Sequence, residues 1–425
     1  MNYILNTLAN GVRVVTVPMR ERTSASVAVW VRTGSRYESE KAAGISHMLE
    51  HMVFKGTETR TTRQIKQEVE GVGGMLNAYT AEESTCYFAK LLREHYPKAL
   101  DVLADMVNHA TIVSSEFERE RGVILEEIKM YRDQPSHYVH ELIGELLWPH
   151  QAIGRPISGS IESVSAMKRS DVLEYRDRYY RPKNILVAIS GGVHPEDVVP
   201  RVEALFSAKE PGQASSFEKA ISRQSGPRTH FLLKDTEQTH FVVGLHGLAR
   251  SSPHRYPLGL LNVILGANMS SRLFEEVREK RGLAYEIRSG LHFFDDTGAF
   301  TVSAGVETAK APQAMAVIMR ELGKVCRKPV SEQELRRAKD YFISQLSMAL
   351  EDTLEHLLWV GEYALCRQKL PDCDKIRANV EAVTAVQIQQ IAVQLFRTAN
   401  LNLALIGPVK AALEKKIRAE FEIPV

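Results

Sequence analysis

Cysteine is scarce: the 425-residue chain has four, Cys86, Cys326, Cys366 and Cys373, and no two of them stand in C-x-x-C spacing. That excludes a disulfide scaffold, and it fits reduced thiols in a cytoplasm-like compartment. Long apolar runs are also missing. None approaches the roughly 18 residues that a membrane-crossing helix needs. The segment Met1–Gly11 has neither the basic start nor the apolar centre of an export signal, so a cytoplasmic protein without a membrane anchor is expected. Charge of one sign is missing as well: 54 Lys and Arg against 52 Asp and Glu leave a net +2, with no extended basic block. A nucleic-acid partner is therefore not expected. Gly71, Gly73 and Gly74 cluster, but without the G-x-x-x-x-G-K-[ST] spacing they read as a turn and an edge-strand bend rather than a phosphate cradle.

The chain is otherwise ordinary for a globular protein, 44% hydrophobic and 25% charged, and at this length it predicts two to three domains. Val12–Pro18, Ser26–Val31 and Ser84–Leu92 read as strands. Helices are predicted over 44–54, 62–72, 96–110 and 115–133, the second capped by Thr61 or Thr62. The densest turn chemistry falls in Lys209–Ser216 and Ser225–Pro227. The two flanking halves are alike at an offset of roughly 215 residues. Ser26–Val31 corresponds to His240–Leu245, Tyr87–Leu91 to Phe300–Ala304, and the helix opened by Ser115 to the one opened by Ser331. The reading is α+β: two tandem homologous α/β units, each a mostly antiparallel sheet with helices packed on one face. The domains are 1–210, a linker 211–228, and 229–425.

The chemistry concentrates in His47-Met-Leu-Glu50-His51. On a helix, His47 and His51 lie about 40° apart and Glu50 about 60° from His47. Two imidazoles one turn apart can ligate one zinc ion, and a glutamate beside them can reach a water without being a ligand. Catalytic zinc usually has three protein ligands, so a third is required. Ser115–Lys129 offers candidates on a helix whose apolar stripe is Phe117, Ile124, Ile128 and Tyr131. Glu126 projects about 140° or more from every member of that stripe, whereas Glu127 lies about 60° from Ile124, at the edge of the buried face. Glu127 is the chosen third ligand. Glu120, two turns earlier on nearly the same face, suits a carboxylate that orients a ligand histidine.

These residues resemble the pitrilysin, insulysin and mitochondrial processing peptidase family of zinc peptidases. The resemblance rests on Gly44–Gly56, Gly74–Thr80, Glu118–Glu127 and Met269–Tyr285, and it runs through both halves of the chain. It implies one zinc per chain held by His47, His51 and Glu127, with Glu50 as general base. It also implies that Asn77 and Ala78 lie on an edge strand pairing with the substrate backbone, and that Arg278 and Tyr285 reach the substrate or the developing oxyanion. The second half has no His-x-x-Glu-His, so the repeat should carry no metal. The expected activity is that of an endopeptidase or oligopeptidase acting on short or unfolded polypeptides. The expected assembly is a homodimer, or a heterodimer with a related chain, with Arg278 and Tyr285 of one chain serving the zinc of the other. Two other readings stay open: a non-catalytic structural subunit, and a metal-binding scaffold that holds peptides without cutting them.

Overall fold

A computed structural model describes residues 3–367 and 369–424. It separates into two compact units that are each discontinuous in sequence. The first comprises 1–129, 155–218 and 347–373; the second comprises 130–154, 219–346 and 374–425. The change between 218 and 219 falls within the expected linker, which carries no helix or strand from 210 to 224. The other two exchanges have no counterpart in the reading of the sequence: each half contributes one helical segment to the unit built mainly by the other.

In the first unit, strands β1 (Ile4–Thr7), β2 (Arg13–Pro18), β3 (Ser24–Val31), β4 (Met75–Thr80), β5 (Thr85–Leu92) and β6 (Ile185–Gly191) form one sheet in the order β1-β2-β6-β3-β5-β4. Only β2 and β6 pair in parallel. Side chains alternate across a strand, so β3 sends Val27 and Val29 to one face and Ala28 and Trp30 to the other, all fully buried. The first face packs on helices α1 (Ile45–Val53), α2 (Thr62–Glu70), α3 (Tyr96–His109) and α4 (Ser114–Arg132). The second face is covered by Leu357, Val360, Ala364 and Leu365 of the helix Thr353–Arg367.

The second unit repeats the plan. Strands β7 (Arg228–Leu233), β8 (Thr239–His246), β9 (Ala284–Phe293), β10 (Gly298–Val306) and β11 (Asn402–Gly407) run in the order β7-β11-β8-β10-β9, with β7 and β11 parallel and the other pairs antiparallel. One face packs on the helices Arg255–Leu265, Ala311–Arg327 and Ala385–Leu395. The other is covered by helix α5 (Pro135–Leu147) through Val139, Leu142, Ile143 and Leu147. The mixed α/β fold with two tandem, mostly antiparallel units thus stands as read, but helices cover both faces of each sheet rather than the one face expected. No helix among the described residues is long and apolar enough to cross a membrane.

Candidate functional site

Helix α1 buries Ile45, Met48, Leu49, Met52 and Val53, which recur at the spacing of one helical face. His47, Glu50 and His51 are left on the half-buried side. The start of α1 is fixed tightly. Gly44 adopts φ +90, where a side chain is strained, and a Cβ there would sit 2.5 Å from the Ser158 carbonyl oxygen. Buried Glu38 supplies the N-terminal cap from upstream, accepting the N–H groups of Gly44 at 2.7 Å and Ser46 at 2.8 Å. Burial pushes its carboxyl up to about 7, against the pull of those hydrogen bonds and of Arg155.

Helix α4 buries Phe117, Glu120, Ile124 and Ile128. Its rotation brings Glu127 towards α1: Glu127 Oε1 lies 3.8 Å from His47 Nε2, and Oε2 lies 3.7 Å from His51 Nε2. Glu126 faces away, 74% exposed and paired with Lys129 at 2.7 Å. Glu120 Oε2 sits 3.1 Å from His51 Nδ1, and its other oxygen is 2.6 Å from Lys55 Nζ. With Nδ1 of His51 bonded in this way, Nε2 is the nitrogen left for a ligand. His47 stays neutral: burial, with His51 as neighbour, pushes its pKa down to about 3. Its Nδ1 is buried without a hydrogen-bond partner among the described residues.

One ligand atom each from His47, His51 and Glu127 falls within 4.8 Å of the others. The nitrogen–oxygen separations are too long for hydrogen bonds. They lie near the edges of roughly 3.3–3.6 Å of a tetrahedron built on zinc–ligand bonds of about 2.0–2.2 Å. The donor set of two imidazoles and one carboxylate suits that ion. These residues fit a zinc ion.

Glu50 lies beside this group. Burial raises its pKa and Glu127 adds to the rise, while a hydrogen bond from Thr80 and the nearby His51 oppose it. Two buried tyrosines whose electrostatics couple to Glu50, Tyr87 and Tyr180, share a hydrogen bond of 2.8 Å. The Thr80 hydroxyl donates to Glu50 Oε2 at 2.5 Å. Neither Thr80 nor Lys55 was singled out in the sequence. Lys55 meets Glu120, and Thr80 meets Glu50, only through the packing of α4 and of β4 on α1.

Asn77 and Ala78 lie on β4, which among the described residues pairs with β5 alone and is an edge of the sheet. Asn77 Oδ1 accepts the Ala78 N–H at 2.8 Å, covering part of that edge. Arg278 belongs to the second unit, on the π-helical turn Phe274–Glu279. Its guanidinium lies over the rings of Phe274 and Tyr285, 4.8 and 5.1 Å from their centroids. Tyr285 is the second residue of β9 and is 77% exposed, so the pair forms a stacked group on the surface of that unit.

Comparison with known proteins bears on both halves. Residues 13–160 match the insulinase family, peptidase family M16, and residues 166–342 match the peptidase M16 inactive domain. A protein from Bacillus subtilis called an uncharacterized zinc protease is 36% identical over 95% of this chain and 97% of its own length. One from Streptomyces coelicolor, named in the same way, is 35% identical over 95% of this chain and 89% of its own length. The crystal structure of a protease from Helicobacter pylori shares the fold with a TM-score of 0.90 at 24% identity, over 96% of this chain and 99% of that one. A Pseudomonas fluorescens structure described as a peptidase M16 inactive domain gives 0.88 at 19% identity, over 97% and 99% of the two chains. The His-x-x-Glu-His helix and Glu127 both lie within the insulinase match, and the relatives cover nearly the whole chain: it belongs to the insulinase family, peptidase family M16.

Proposed function

We propose that the chain is a zinc-dependent endopeptidase or oligopeptidase acting on short or unfolded polypeptides. The observation that carries this reading is the convergence of His47 Nε2, His51 Nε2 and a Glu127 carboxylate oxygen, with Glu50 beside them. His47, His51 and Glu127 hold one zinc ion per chain. When bound, that ion supplies Lewis acidity to the water and to the scissile carbonyl. Glu50 accepts the proton of the attacking water and returns it to the leaving amine. Glu120, anchored by Lys55, holds the His51 ring through Nδ1. The substrate backbone adds to the free edge of β4, taking over the Ala78 N–H from Asn77. Such pairing needs an extended chain, so a folded domain is cut no faster than it unfolds.

In this reading the protein works as a homodimer, and the stacked Arg278–Tyr285 pair of one chain contacts substrate held by the other. Mixing Glu50→Gln and Tyr285→Phe chains under subunit exchange tests this part: recovery of activity supports it, and no recovery with confirmed exchange overturns it. The main reading is tested by cleavage of a quenched fluorescent peptide with and without a chelator. Cleavage that stops on chelation and returns with zinc supports it. An intact peptide at full zinc occupancy supports a peptide-holding scaffold instead.

A further inference from the structure

Thr80 is the last residue of β4, and its hydroxyl lies against the Glu50 carboxylate. Nothing about the strand requires a hydroxyl there. Valine has the same branched shape and serves a half-buried strand as well. The turn that follows is closed by backbone, Ala81 N–H to the Ser84 carbonyl at 2.8 Å, and Thr80 pairs across the hairpin with Thr85. Among the described residues the hydroxyl has one hydrogen-bond partner, Glu50 Oε2, and Glu50 Oε1 has none. One carboxylate oxygen is held and the other is left free.

We infer that Thr80 is a positioning residue for the reaction: its hydroxyl locks the Glu50 side chain in one rotamer and leaves Oε1 to accept the proton. This rests on the reading of Glu50 as base. A glutamate has three side-chain torsions, the last of them broad, so a half-buried carboxylate without an anchor samples several orientations. A short O–H···O⁻ bond selects one of them. Thr80 lies two residues beyond Ala78, on the same side of the strand. The strand that would receive the substrate backbone therefore also carries the anchor of the base, and a peptide that fixes β4 fixes Glu50 with it.

The test compares Thr80→Val and Thr80→Ser in the full chain, with the thermal midpoint measured first to establish folding. Zinc content and KM stay at the parent value in both variants. Turnover falls about 10- to 100-fold in Thr80→Val, the scale of a misplaced catalytic group, and returns in Thr80→Ser. A crystal structure of zinc-free Thr80→Val shows Glu50 in more than one rotamer where the parent shows one. Parental turnover in Thr80→Val, or an unchanged single Glu50 rotamer, overturns the inference. A parent protein without chelator-sensitive hydrolysis would sink the peptidase reading instead, and the crystallographic arm still decides whether Thr80 orders Glu50.

Discussion

Between Glu126 and Glu127, one residue of helix rotation separates a solvated charge from a candidate ligand. Glu126 is exposed and paired three residues on with Lys129, an interaction worth about 0.3–0.5 kcal/mol at most. Glu127 faces both histidines. Glu127→Gln is expected to weaken zinc binding beyond the 10- to 100-fold typical of losing an outer-shell partner, while Glu126→Gln leaves it unchanged. Metal titration of the two variants decides this, and equal losses would mean that Glu127 is not the third ligand. The facing of this helix was legible because α4 carries a clean apolar stripe, and His47, Glu50 and His51 were legible because they share one turn. Thr80 and Lys55 were not: an isolated threonine at a strand end or a lysine at a helix end has many ordinary reasons to be there, and only packing shows which carboxylate it meets.

At the scale of elements, the helix Thr353–Arg367 and strand β3 show how closely the second face of a sheet is covered. Gly361 lies against Trp30, which is fully buried, and a Cβ at Gly361 would come within 2.2 Å of the indole ring. Gly361→Ala is expected to destabilise the protein by about 1–3 kcal/mol through overpacking, despite the better helix propensity of alanine. That corresponds to a drop of several degrees in thermal midpoint, at about 2–4 °C per kcal/mol for a unit of this size. An unchanged or higher midpoint would show that the indole has room to shift. The sequence held a signal for this second layer, since β3 is apolar at successive positions rather than alternating, the mark of a strand buried on both faces. It held none for the origin of the covering helix. An amphipathic pattern says that a face is buried, not against which sheet, so residues 353–367 fell within the expected domain 229–425.

At the scale of the whole molecule, two neighbours on α5 contribute to stability against pH with opposite linkage. Burial pushes His140 down from 6.5 to about 4, helped by Arg288, His292 and His137 and opposed by Glu286. Burial pushes Glu141 up from 4.5 to about 7, helped by Glu145 and opposed by Arg132. The fold prefers neutral His140, so its contribution is lost as pH falls from 6.5 towards 4. It also prefers protonated Glu141, so that contribution is lost as pH rises from 4.5 through 7. The two offset each other between 4.5 and 6.5. Glu141→Gln should therefore steepen the loss of thermal midpoint on acidification across that window, and His140→Gln should reverse it; parallel curves for parent and variants would show that α5 does not set the acid limit. The division into two like units was legible from the internal repeat, and the exchanged helices were not, because nothing local marks them. The central claim, that this fold brings a zinc ion and a general base together for peptide hydrolysis, is tested most directly by Glu50→Gln. Glutamine keeps the shape and leaves all three ligands in place. One zinc per chain is expected in both parent and variant, with peptide hydrolysis lost only in the variant. Hydrolysis by Glu50→Gln at near the parent rate, with zinc bound, would contradict it.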